Sequence, residues 1–236
     1  MPTRPKPPEP TVVLFVRHGL TPTTGKEMPE AGAGPSLSEE GRRQAEDAGR
    51  HIADWRPSLP PLGALYTSPL TRARETAAIV GKALDLAPVE NRGLADVDAG
   101  EWAGTPLKEL AKLPEWPTVV HYPSGFRFPG GEHLSQMHGR VVGTVRDLVE
   151  SHAGQAVVVV SHADPIKAVL ADALGAHLDL FQRVVVSPAS VSAVSYARAG
   201  PSVLLVNWTR PAADAPLPGK LKPGPGTANA GPRSRR

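Results

Sequence analysis

The stretch "AVVVVSHADPIKAVL", residues 156–170, changes its periodicity part-way along. Val157 to Val160 run without apolar and polar alternation, so this strand must be covered on both faces. Asp164 and Pro165 then read as an N-cap and first-turn pair for a helix continuing through "IKAVLADALG". A strand buried on both sides and followed at once by a helix is the unit of a largely parallel sheet, which predicts an α/β fold. The same unit recurs outward along the chain. "TVVLFV" (11–16) precedes the polar helix "LSEEGRRQAEDAGRHIADW" (37–55), with Ser38 as N-cap. "GALYTS" (63–68) precedes "PLTRARETAAIVGKAL" (69–84), with Pro69 placed at the first helical position after Ser68. In "GEHLSQMHGRVVGTVRDLVESH" (131–152), Leu134, Met137, Val141, Val145 and Leu148 define one buried helix face. "VSAVSYAR" and "SVLLVNW" read as a closing hairpin, and there is no internal repeat.

Composition limits the function classes. With 236 residues, 40% of them hydrophobic, the chain can bury one full core, and residues 11–210 read as a single domain. No apolar run reaches the roughly 18 residues of a membrane span. "MPTRPKPPEP" has no apolar h-region, so a secretory signal is not expected and a cytoplasmic location is. The absence of cysteine removes disulfides, thiolate catalysis and thiolate zinc sites. The pI near 9.3 suggests a nucleic-acid partner, but the charge lies in the tails. Subtracting the +1 of residues 1–10 and the +4 of residues 211–236 from the whole-chain +3 leaves residues 11–210 at −2. Both tails are rich in proline and read as disordered, so neither nucleic acid nor membrane is expected as a partner.

In an open parallel sheet the functional crevice lies outside the carboxyl ends of the strands. Arg17 and His18 end one predicted strand, Ser161 and His162 another, and Ser68 to Arg72 follow a third. Taken singly, a histidine at a strand end is ordinarily structural, and Arg72 or Arg74 would be solvated or paired with a carboxylate such as Glu75. Convergence of three distant segments on one sheet edge is what favours a site. Two guanidinium forks match a phosphoryl group, one imidazole offers a metal-free nucleophile, and a second can meet charge on the equatorial oxygens. That set describes phosphoryl transfer.

The motifs "VRHGLT", "LYTSPLTRARETA", "LADVDAGEWAG", "PGGEHL" and "VVSHADPIKAVL" resemble, in this order, those of the histidine phosphatase superfamily, also called phosphoglycerate mutase-like. Within it, "FRFPGGEHL" and "HLDLFQRVVVSPASVS" resemble an actinobacterial branch of phosphomutase or phosphatase type. The resemblance spans about residues 11–208. It implies a three-layer α/β/α sandwich with a mostly parallel central sheet, a covalent phosphohistidine, and no metal or other cofactor. It makes His18 the nucleophile, Arg17 and Arg72 the phosphate-binding arginines, and His162 the second pocket histidine, with Arg74 projecting elsewhere. The general acid of the family's "E-x-D-x-G-x-W" pattern falls on Asp96 of "DVDAGEW", one methylene shorter than the usual glutamate; Asp98 and Glu101 are the other carboxylates in reach. Thr21 can give the phosphate a hydroxyl, and Thr24 stands where relatives often have asparagine.

The expected activity is hydrolysis of a small phosphate monoester. Mutases of the family carry a long insertion after the acid, whereas here His162 follows Asp96 by 66 positions. The alternatives are a phosphoglycerate mutase-type phosphomutase and a non-catalytic phosphate-binding protein; a homodimer is left open. Metal hydrolysis lacks its motif, since His133 and His138 are five apart and no HExxH occurs. Residues 105–131 are expected to form a lid in which Trp116, Tyr122, Phe126 and Phe128, with Arg127, face a substrate bearing an apolar or ring part and a second negative charge, or else simply pack the loop onto the body.

Overall fold

The computed structural model describes residues 9–30 and 32–209. The expected tails, 1–10 and 211–236, therefore lie outside the described residues apart from Glu9 and Pro10. The chain forms strands β1 (Thr11–Arg17), β2 (Leu62–Thr67), β3 (Pro88–Glu90), β4 (Ala156–Ser161), β5 (Val191–Ala197) and β6 (Gly200–Trp208). Between them run helices α1 (Glu39–Trp55), α2 (Thr71–Leu84), α3 (Leu107–Leu110), α4 (Trp116–His121), α5 (Leu134–Ser151) and α6 (Ala163–Ala173). One six-stranded sheet has the order β3-β2-β4-β1-β5-β6. The first four strands are parallel, and the β5–β6 hairpin adds antiparallel pairs at one side.

Successive residues of the central strands serve two cores, which explains their unbroken apolar run. Val13, Phe15, Val157 and Val159 pack with α5, α6 and the 107–128 region, while Val12, Leu14, Val16, Val158 and Val160 pack with α1 and α2. The result is the expected three-layer α/β/α sandwich. Helix α1 starts where Ser38 Oγ accepts the Gly41 N–H at 3.0 Å, with Glu39 and Glu40 in the positive first turn. Its small buried face, Gly41, Ala45, Ala48 and Gly49, lets it lie close against α2: a Cβ on Gly49 would stand 2.9 Å from the Ala83 Cβ. The expected stripe of α5 is buried as read, with Val142 added.

Two expected helix starts shift. Helix α2 begins at Thr71 with Leu70 as its cap, not at Pro69 behind Ser68. The Ser68 hydroxyl is engaged with His162 Nε2 at 2.7 Å and with the Leu70 N–H, and the Thr71 N–H donates to the Ala33 carbonyl. Helix α6 begins at Ala163, with His162 rather than Asp164 in the N-cap position, because the Ile166 N–H already reaches the His162 carbonyl at 3.2 Å. The strand thus passes straight into the helix, and the histidine sits at the junction.

Neighbouring strands β1 and β4 send their following helices to opposite faces, α1 into one core and α6 into the other. A crevice must open between those departures, at the carboxyl ends of the strands.

Candidate active site

Backbone hydrogen bonds hold the three strand ends in register: the His18 N–H donates to the Ser161 carbonyl at 2.9 Å, and the Ser68 N–H to the Val160 carbonyl at 3.0 Å. Beyond His18 the chain must turn against the start of α1, and side chains are excluded there. A Cβ on Gly19 would come within 2.3 Å of the Gly41 carbonyl oxygen, and one on Gly41 within 2.0 Å of the Leu20 oxygen. The turn is tied further by Ser38 Oγ donating to the Leu20 carbonyl and by the Gly19 N–H donating to Thr76 Oγ1.

His18 and His162 are 5% and 1% exposed, with ring centroids 5.2 Å apart. His18 Nδ1 lies 2.8 Å from the Gly19 carbonyl, which can only accept, so Nδ1 carries the proton. Burial, then His162, Arg17 and Arg72, hold the His18 ring well below the usual imidazole range, so it is neutral and its Nε2 keeps a lone pair. His162 is lowered well below that range too, by burial first and then by Arg72, Arg17 and Arg140. Its Nδ1 is buried without a hydrogen-bond partner, 3.5 Å from Asp96 Oδ2.

Arg72 is buried and donates from Nη2 to Asp96 Oδ2 at 2.8 Å, while its Nη1 closes against Gly34, where a Cβ would be 2.8 Å away. Arg17 donates from Nη1 to the Val186 carbonyl at 2.7 Å, and its Nε is buried with no partner. Burial lowers the Arg17 guanidinium from its ordinary value, opposed by Asp96 and Asp164. Arg17, Arg72 and the neutral His18 ring face one space, and two enclosed guanidinium groups are what a bound anion would satisfy.

Those residues line a cavity of roughly 270 Å³. Arg17, His18, Thr21, Arg72 and Asp96 all reach it; His162 stands behind, against Asp96 and Ser68. Of the three candidate carboxylates only Asp96 lines the cavity. Asp98 and Glu101 are exposed, with Asp98 Oδ1 accepting the Gly100 N–H. Arg74 projects away to pair with Glu90 at 2.9 Å. Thr24 Oγ1 sits 2.8 Å from Thr21 Oγ1 and accepts the Thr21 N–H, so this threonine orders the Thr21 hydroxyl from beside it. Glu75 pairs with Arg42 at 3.1 Å and not with Arg72 or Arg74 by hydrogen bond.

The 105–131 segment divides. Trp116, Val119 and Val120 of α4, Leu107 of α3, and Phe128 form an apolar wall of the cavity. Phe126 is buried against Trp102 and Phe128, Tyr122 is exposed, and Arg127 is exposed with its Nη2 on Gln136 Oε1. The sequence reading missed Lys167, Asp164 and Gln182, which line the cavity from α6 and the 3-10 turn Leu178–Arg183. Their signal was present: Asp164 and Lys167 lie three apart in the first turns of the helix that follows His162. Among the described residues, no group of three or more His, Cys, Asp or Glu side chains is disposed to hold a metal ion. No described helix is long and apolar enough to cross a membrane.

The family description that matches is "Histidine phosphatase superfamily (branch 1)", over residues 13–209. Phosphoserine phosphatase 1 of Hydrogenobacter thermophilus is 30% identical over 199 residues, covering 84% of this chain and 92% of that protein. A bifunctional protein of Mycobacterium tuberculosis is 34% identical over 85% of this chain, which spans 54% of that longer relative. Among solved structures, the mycobacterial glucosyl-3-phosphoglycerate phosphatase superposes with a TM-score of 0.75 at 22% identity, covering 85% of this chain and all of that one, a likeness of fold. With the family match spanning nearly the whole of the described sheet and its crevice, the chain belongs to the histidine phosphatase superfamily, branch 1.

Proposed function

We propose that the protein is a phosphomonoesterase acting on a small phosphorylated metabolite through a phosphohistidine on His18. The observation that carries this reading is the 2.8 Å contact of His18 Nδ1 with the Gly19 carbonyl, which leaves Nε2 of a neutral ring as the free nucleophile. A phosphoryl group entering beside it meets Arg17 and Arg72 and becomes the anionic partner that Arg72 otherwise finds in Asp96. Ser68 Oγ, 2.7 Å from His162 Nε2, accepts the Leu70 N–H and can donate its own proton to that nitrogen, which supports a tautomer whose Nδ1–H donates to an equatorial oxygen. The Thr21 hydroxyl, steadied by Thr24, donates to another.

In the first half-reaction the phosphoryl group takes over Arg72, Asp96 accepts the proton of the monoanionic ester, Nε2 bonds to phosphorus, the ester P–O bond breaks, and Asp96 gives that proton to the leaving oxygen. In the second, water attacks phosphorus, its proton passes to Asp96, and the P–N bond electrons return to Nε2. Phosphate leaves carrying that proton, Asp96 returns to Arg72, and both groups are restored. Residues 11–210 act here as one catalytic domain, with 105–131 as its cover. The partner is a small phosphate ester and not nucleic acid, since residues 11–210 carry a net −2, and we place the activity in the cytoplasm. Rapid quench with labelled substrate is the test. It should trap an acid-labile, base-stable phosphoenzyme, and His18→Ala should lose both adduct and turnover; an adduct persisting in that variant would overturn the assignment.

A further inference from the structure

Beside the phosphate-binding arginines the cavity holds one more cation. Lys167, on α6 one turn beyond His162, lines it with a side chain only 15% exposed. Its Nζ donates to Gln182 Oε1 at 2.8 Å, lies 3.4 Å from Asp164 Oδ1, and sits 6.0 Å from the centre of the Phe181 ring. An ammonium has three N–H groups and loses its hydration when enclosed. One neutral amide and one long carboxylate contact leave it undercompensated at a cavity wall. Across the same space stand Trp116, Val120 and Phe128, which can hold an apolar or ring-bearing group.

Resting on the phosphatase reading of this site, the geometry points to Lys167 as a specificity residue that reads a carboxylate carried by the apolar leaving group. The second negative charge expected of the substrate is thereby read from α6 and not by Arg127, which lies outside the cavity. A monoanion suits this place better than a second phosphoryl group. A dianion calls for a fork or for two cations, and here the single ammonium has Asp164 beside it. The substrate class is a phosphate monoester whose alcohol portion is apolar or aromatic and bears one carboxylate.

Binding separates this inference from the question of turnover. In the His18→Ala background, calorimetry with 3-carboxyphenyl phosphate and phenyl phosphate compares two ligands that differ only by the carboxylate. The carboxylated ligand should bind about 10-fold tighter, the size expected of one charge-assisted hydrogen bond. Lys167→Met, which keeps the apolar stem, should bring the ratio to within about 2-fold of unity. Asp164→Asn, which leaves Lys167 in place and removes the competing anion, should widen it. Equal affinities with Lys167 present, a preference that survives Lys167→Met, or one that fails to widen in Asp164→Asn would each overturn the assignment. So would tighter, Lys167-dependent binding of 1,3-phenylene bisphosphate than of the carboxylated ligand, which would assign the class to diphosphates. Failure of the phosphatase reading would show instead in the wild-type protein, as no phosphate released from any ester.

Discussion

Two buried, neutral imidazoles fix how the protein should respond to acid. Each ring is held well below the usual histidine range in the folded state but titrates near 6.5 when unfolded. As pH falls through about 6.5 the unfolded chain therefore binds protons that the folded one refuses, and stability drops, by at most about 1.4 kcal/mol per pH unit for each ring. The loss continues down to the pH at which the folded rings themselves protonate. Thermal unfolding followed between pH 7.5 and 5 should show this slope, and His162→Asn should flatten it by about half; an unchanged slope would show that His162 is not kept neutral. Asp96 gives a second prediction at the same scale. A proton donor matters most for a poor leaving group, so Asp96→Asn should slow alkyl phosphates about 10²–10⁴-fold and nitrophenyl phosphate far less. Asparagine preserves an oxygen for Arg72 but has no acidic proton to transfer. Equal losses on both substrates would assign Asp96 to holding Arg72 alone.

The turn after β1 works because two backbones touch. Gly19 and Gly41 leave no room for a Cβ between the loop and the first turn of α1, and Ser38 joins them by capping the helix while donating to the Leu20 carbonyl. Gly41→Ala should therefore push the loop and His18 with it. The expected outcome is at least a 10-fold loss of kcat/KM, with a fall in stability of about 1–3 kcal/mol. Ser38→Ala should cost about 1 kcal/mol through the lost cap. Activity kinetics and denaturant unfolding on the same samples check both. The type and order of the long elements were legible in the chain because strand and helix periods differ so plainly in "VVVVSHADPIKAVL" and in the α5 stripe, whereas β3, α3 and α4, of three, four and six residues, are too short to show a period. The starts of α2 and α6 were not, because the residues that look like caps are taken up elsewhere: Ser68 by His162, and Asp164 by Lys167 at 3.4 Å. Local rules for caps assume a side chain free to turn back on its own helix.

Across the whole molecule, strand ends carried the site into view, since the chain order of a parallel sheet already says which residues share its carboxyl edge. The cavity's far wall stayed hidden because it is built by tertiary contact: which of Trp116, Phe126, Phe128 and Arg127 face inward depends on how α3 and α4 dock, and no period in that segment encodes it. The same wall bears on the choice between phosphatase and mutase. A phosphomutase must return the phosphoryl group before water reaches it, which requires a closed cover and a bisphosphorylated primer. Here the apolar wall is carried by a four-residue helix and a six-residue helix, and the cavity lining includes the exposed Gly25 and Glu30. Water should therefore reach phosphohistidine faster than a second alcohol does. With 3-phosphoglycerate and catalytic 2,3-bisphosphoglycerate the protein should form little 2-phosphoglycerate, while a panel of phosphate esters yields free phosphate, in chelator as in buffer. Primer-dependent isomerisation outpacing phosphate release on every ester would reverse the assignment and require that α3 and α4 close over the bound ester. Activity lost to chelator and restored by a divalent ion would move the chemistry away from His18, and no phosphate release at all would leave a phosphate-binding protein.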